Sequence, residues 1–158
     1  MNKKVYMEKT NNIIAYFEHY LDSNNLRNTE IENYIVRYLL IFCCAEFSEI
    51  IREIIFSRVR SINDPLIINY VEKSIDLGFK NPTMENIYKV LGQFDRDLKR
   101  IFKQNVDTQI INSWETLINN RNEVAHKTQC TISITITELK TYLSNISSIY
   151  DQIEAILR

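Results

Sequence analysis

The chain has 158 residues, 45% hydrophobic and 25% charged, with a net charge of −1. Those figures exclude an intrinsically disordered chain and a cationic nucleic-acid coat, and they predict a single domain over residues 1–158 with a core of its own. Only 2 Gly and 2 Pro occur, too few turn formers for a sandwich or barrel, so an all-α bundle with no significant sheet is expected. Gly78 and Gly92 stand alone, and no glycine-rich phosphate loop can be written.

Helix signals then follow in chain order. The first helix is predicted over 9–22, after an N-terminus, MNKKVYMEKTNN, that lacks the apolar stretch of a signal peptide. Thr29-x-x-Glu32 reads as a capping box opening a long helix over 30–60. Between Tyr38 and Ile51 that helix is nearly apolar all round, as in a central helix, a dimer interface, or both. Its most apolar run, Tyr38 to Phe47, is too short for a membrane span. Asp64-Pro65 is an N-cap with proline at the first helical position, predicting a helix over 65–77. Thr83 opens 84–104, with a break expected near Gly92–Asp95; Asp107 opens 108–124; Thr135-x-x-Glu138, a second capping box, opens 136–157. Thr131 to Ile136 alternates like a strand but has no partner strand, so it reads as an extended connector. Cys43, Cys44 and Cys130 make an odd count with two adjacent, which points to a reducing cytoplasm over a disulfide framework.

Charge in the wrong place marks the candidate site. On the 108–124 helix, Ile110, Ile111, Trp114, Leu117, Ile118 and Ala125 share one face, and Arg121 falls near its middle. A guanidinium there needs a carboxylate, a phosphate or a wet cleft, because an isolated buried charge is very costly. It is either one half of a structural ion pair or an anion-binding residue. Glu46 interrupts the apolar run of the long helix and also needs a partner; Arg121 is the expected one, with Arg37, Arg52 and Arg58 competing and Glu49 as the fallback acid. His126 is one of two histidines and follows Arg121 by five residues. It is either a polar helix-end residue or a general acid/base, the role histidine most often fills near neutral pH. His19 reads as structural. Two isolated histidines make no zinc site, no carboxylate cluster for a metal is visible, and no cofactor is expected.

The string Arg121-Asn122-Glu123-Val124-Ala125-His126 closely resembles the R-x(4–6)-H signature of the HEPN superfamily. The flanks resemble it too: an apolar helix leading in, polar Asn122 after the arginine, Ala125-His126 before a turn, a Thr-rich extended segment, and a final amphipathic helix. The helix with Ala45-Glu46-Phe47 looks like the acid-bearing helix of bacterial HEPN ribonucleases of the RiboL-PSP kind or a closely allied group. The resemblance implies a helical bundle that dimerises through its motif helices. It also implies metal-independent RNA cleavage to a 2′,3′-cyclic phosphate and a 5′-hydroxyl, as in toxin–antitoxin or phage-defence effectors. Arg121 and His126 would be catalytic, with Asn122 and Glu46 supporting. One branch of the superfamily carries a tyrosine two residues after the histidine; Thr128 stands there and counts against that branch alone.

Lys99, Arg100, Lys103 and Lys127 are candidate RNA contacts, although a solvated face explains the basic residues of 89–103 equally well. Expected partners are an RNA substrate, a second copy of the chain, and an antitoxin or other protein, with no membrane. The competing readings are a catalytically silent HEPN-like module for assembly or nucleotide binding, and a helical DNA-binding regulator. The net charge and the lack of a basic recognition helix argue against the regulator.

Overall fold

The computed structural model describes residues 3–79, 81–126 and 134–158. Those residues are 86% helical, in seven helices with no strand among them. The helices are α1 (Lys3–Ser23), α2 (Glu30–Arg60), α3 (Pro65–Gly78), α4 (Met84–Phe94), α5 (Arg96–Asn105), α6 (Thr108–His126) and α7 (Ile136–Leu157). The all-α expectation stands. Residues 131–133 of the expected connector lie outside the described residues; Ile134 and Ile136, at its far end, are buried.

Most starts are made by the residues that announce them. Asp64 caps α3 by accepting from the Leu66 and Ile67 amides at 2.9 and 3.3 Å. Thr83 caps α4 through Asn86 N–H at 3.2 Å. Thr135 and Glu138 form a complete capping box at the head of α7. The break expected near Gly92–Asp95 falls at Asp95. That residue is extended (φ −160°, ψ 139°) and accepts from the Asp97 amide at 2.7 Å, ending α4 and starting α5. Gly92 lets the Lys99 side chain lie close, 3.3 Å from where a Cβ would stand.

Two expectations are corrected. First, α1 begins at Lys3 rather than residue 9. Its start carries no cap signal, and packing of Met7, Ile13 and Ile14 on the core sustains it. Second, Thr29-x-x-Glu32 is no capping box. Thr29 is the N-cap of α2 but makes no side-chain cap bond, and its hydroxyl donates instead to the Leu26 carbonyl at 2.6 Å. Glu32 is buried, with Oε2 accepting from Asn28 N–H at 2.6 Å and Oε1 from Ile136 N–H at 3.2 Å. A motif that looks local is therefore a tie between the heads of α2 and α7.

α2 is the central helix, packed by α1, α3, α6 and α7. Its contacts fix the directions of its neighbours. Glu32 meets Ile136 and Phe47 meets Tyr150, so α7 runs parallel to it. Phe47 meets Trp114 while the charge of Arg121, seven residues on, acts on Cys44, three residues back, so α6 runs antiparallel. Phe47, Trp114 and Tyr150 form an aromatic cluster with centroids 5.4–6.2 Å apart at the centre of the bundle. Trp114 Nε1 also donates to the Pro82 carbonyl, and Glu115 accepts from Met84 N–H at 3.1 Å, fixing α6 against the head of α4.

Candidate active site

α6 carries its apolar stripe as the spacing predicts. Trp114, Leu117 and Ile118 are buried, and Ile110 and Ile111 are half-buried. The stripe then changes character. Arg121 is half-buried, and Ala125, one turn on, is exposed. The last two turns of α6 thus carry the line of core contacts out to the surface, and Arg121 sits where that line meets solvent.

Arg121 Nη1 donates to Asn122 Oδ1 at 3.0 Å. No carboxylate lies within ion-pair distance of it among the described residues. Its charge is felt by Cys44, whose thiol burial pushes up to about 12 against the lowering effect of the guanidinium. The structural ion pair, one of the two explanations for an arginine in this stripe, is not made.

Glu46 corrects the expectation of an Arg121 partner. Its Oε1 pairs with Lys9 Nζ of α1 at 2.8 Å, and Oε2 is buried with no hydrogen-bond partner. Two residues apart on one helix, Glu46 and Cys44 project about 160° apart, so the carboxylate faces α1 while Arg121 approaches the opposite flank. Glu49, the fallback, pairs with Arg52 at 3.0 Å.

α6 continues through His126, which is exposed. Five residues of unbroken helix put Arg121 and His126 about 140° apart around the axis, and no hydrogen bond joins them. A single chain presents an anion binder and a proton carrier on one helix end without converging them. Of the basic residues, Lys99, Arg100 and Lys103 are exposed on α5, which packs mainly on α4 and α7. Arg100 pairs with Asp97 at 3.0 Å and Lys103 lies over the Tyr88 ring at 4.7 Å. Lys127 lies outside the described residues. His19 is exposed beside Ser23, 3.5 Å from its hydroxyl.

Glu32 is the acid that sequence reasoning misread. Buried beneath the head of α7, it also lies 3.6 Å from Arg27, which pairs with Asp22 at 2.7 Å. Glu18 extends this network to Lys140 of α7 at 2.7 Å. α7 thus begins at an anchored point, the Ile136 amide held by Glu32. Its one sequence signal was an acid three residues after a threonine, which a cap explains equally well.

A helical bundle with Arg-Asn-x-x-x-His at the exposed end of a core helix is an architecture of the HEPN class. The RiboL-PSP-HEPN family model matches residues 7–158, and the chain belongs to that family. No curated protein and no solved structure matches it. Among the described residues, no three His, Cys, Asp or Glu gather as a metal-binding group, and no helix is long and apolar enough to cross a membrane.

Proposed function

We propose that this chain is a metal-independent endoribonuclease, acting as a homodimer in the cytoplasm as a toxin or phage-defence effector. The observation that carries the reading is Arg121, half-buried with no carboxylate partner among the described residues, one helical turn and a residue from His126 in a chain of a HEPN family.

The chemistry follows from those groups. The ribose 2′-OH attacks the adjacent phosphorus, losing a proton, and the 5′-oxygen of the next nucleotide leaves with a proton. A histidine carries one of these protons in each direction. Negative charge that builds on the phosphoryl oxygens meets the planar donor fork of Arg121. Asn122, bonded to that guanidinium, holds it in place. Glu46, turned toward Lys9, supports the site only through the packing of α2.

The divergence of Arg121 and His126 within one chain favours a shared site. A two-fold axis beside the end of α6 brings a second histidine to the first chain's arginine. Tyr34, Tyr38 and Ile41 form an exposed apolar stripe along the adjacent side of α2 and supply a surface for that contact. The same divergence also supports the second reading, a catalytically silent HEPN-like module for assembly or nucleotide binding. Incubating the purified protein with total RNA in EDTA and mapping the ends separates the two. The nuclease gives 5′-hydroxyl and 2′,3′-cyclic phosphate ends, whereas intact RNA leaves the silent module.

A further inference from the structure

Four arginines are half-buried among the described residues: Arg27, Arg37, Arg52 and Arg121. Two of them are neutralised. Arg27 bonds Asp22 at 2.7 Å, and Arg52 bonds Glu49 and the Phe79 carbonyl at 3.0 and 2.9 Å. The other two, Arg37 and Arg121, have no carboxylate within ion-pair distance among the described residues. Withdrawing a guanidinium from water without an anion is unfavourable, so an anion brought to either position would be favoured.

These two lie on facing flanks of neighbouring helices. Arg37 and Cys44 are seven residues apart on α2, within about 20° of one direction, and Cys44 is the thiol that feels the charge of Arg121. Counting equal rises along the antiparallel helices from the Phe47–Trp114 contact, Arg37 draws level with Val124, about midway between Arg121 and His126. Helical side chains lean toward their own N-terminus, and α2 and α6 run in opposite directions. The two guanidinium groups therefore lean apart, Arg121 toward Cys44 and Arg37 past the level of His126. That arrangement suits two neighbouring phosphates of one strand, and it does not suit a bidentate grip on one.

We propose that Arg37 is a second phosphate-binding residue of this site, holding the phosphodiester next to the scissile one on a single RNA strand. The proposal rests on the nuclease reading for the identity of the scissile phosphate. Its role is positioning: it fixes the register of the strand relative to the phosphate that Arg121 holds. Tyr34 and Tyr38 flank Arg37 on the exposed side of α2.

The test measures binding without turnover. His126→Ala protein is titrated with a short single-stranded RNA at several salt concentrations, in the parent and with Arg37→Gln, Arg37→Lys, Arg121→Gln or Arg58→Gln added. Each lost phosphate contact flattens the plot of log K against log salt by about 0.7 on a single strand. Arg37→Gln is expected to flatten the slope by that amount and to weaken binding roughly tenfold. Arg37→Lys is expected to keep the slope, and exposed Arg58→Gln to change neither quantity. An Arg37→Gln slope equal to the parent's, beside a flattened Arg121→Gln slope, overturns the proposal and leaves the nuclease reading intact. Equal flattening by Arg37→Gln and Arg58→Gln also overturns it, since general surface charge then suffices. RNA that is bound with the expected slopes but never cut by the protein that retains His126 sinks the nuclease reading and upholds Arg37 as a phosphate binder. Thermal unfolding of each variant verifies that the comparison is between folded proteins.

Discussion

Lys9 holds Glu46 at 2.8 Å on one flank of α2, while the charge of Arg121 acts on Cys44 on the other. The central helix thus separates the only acid in its apolar run from the only arginine in the stripe of α6. The acid is used to fasten α1, and the arginine has no carboxylate within ion-pair distance among the described residues. The Lys9 side chain is 53% exposed and that of Glu46 13%, so the pair is worth more than a surface bridge and less than a buried one. Lys9→Ala is expected to cost about 1–2 kcal/mol, and Glu46→Gln in that background to recover part of it. Urea unfolding of the two single variants and the double measures the coupling. RNA cleavage is expected to be unaffected by Lys9→Ala, since the pair faces away from Arg121.

Glu32 links the heads of two helices 104 residues apart in sequence. Replacing it with alanine leaves the Asn28 and Ile136 amides without their acceptor. An orphaned buried amide costs about 1–3 kcal/mol, so Glu32→Ala is expected to rank among the most destabilising polar substitutions in the bundle. Glu32→Gln, which keeps one carbonyl acceptor, is expected to lose less. Amide hydrogen exchange at Ile136, accelerated in Glu32→Ala ahead of the rest of α7, distinguishes this tie from a loss spread over the whole fold.

The capping box of α7 predicts a pH dependence of definite sign. Hydrogen bonds from the Thr135 amide and hydroxyl hold the Glu138 carboxyl below its ordinary range. A carboxyl lowered on folding adds stability above its unfolded pKa, near 4.3, and loses it as pH falls through the folded value. The stability difference between the parent and Glu138→Gln is therefore expected to be constant from pH 7 to about pH 5 and to shrink below that. Thr135→Ala removes the other half of the box and is expected to cost about 1 kcal/mol. A gap that widens on acidification contradicts the assignment.

Burial pushes Cys44 up to about 12, and Cys43 rises in the same direction from burial beside Cys44 and Glu46. Thiolate is the reactive form, so both thiols are expected to resist alkylation at pH 8 in the native protein. In a Cys130→Ser background, quantitative thiol titration is expected to find no fast-reacting group before unfolding and two after it. Rapid native labelling of either shows that the interface of α2 with α6 and α7 opens on the timescale of the reagent.

Nearly all of the architecture was legible in the sequence, because caps and apolar spacing are local and additive. Asp64, Thr83, Asp107 and Thr135 each announce a start that the chain uses. What was not legible depends on which flank of a helix meets which neighbour. Glu46 and Arg121 are both charges in apolar runs, and sequence offers no way to see that one flank of α2 faces α1 and the other α6. Glu32 fits a local cap as well as a tertiary tie, and only the position of α7 decides. Arg37 gave no signal beyond being a competitor for Glu46; its interest lies in lacking a carboxylate partner among the described residues, which is a property of three dimensions.

The catalytic reading makes its most discriminating statement about two chains at once. In the proposed reaction the nucleophile is the substrate's own 2′-OH, so cleavage is expected to survive EDTA and to vanish when the 2′-OH at the cut is replaced by hydrogen. His126→Ala is expected to lower the rate roughly 10²–10⁴-fold, the share of general acid–base catalysis. Arg121→Ala is expected to be comparably harmful, with Arg121→Lys a partial rescue because an ammonium has no fork. Neither variant alone tells whether Arg121 works with the histidine of its own chain. Mixing does. If the site is shared across a two-fold axis, a dimer of one Arg121→Ala chain and one His126→Ala chain retains an intact arginine and an intact histidine that meet across the axis. Subunit exchange between the two inactive proteins is then expected to restore activity well above either parent. If each chain works alone, the mixed dimer has one site without the arginine and one without the histidine, and exchange restores nothing. Gel filtration establishes that dimers form, and the absence of complementation in exchanged dimers overturns the shared site while leaving the roles of the two residues to the single variants.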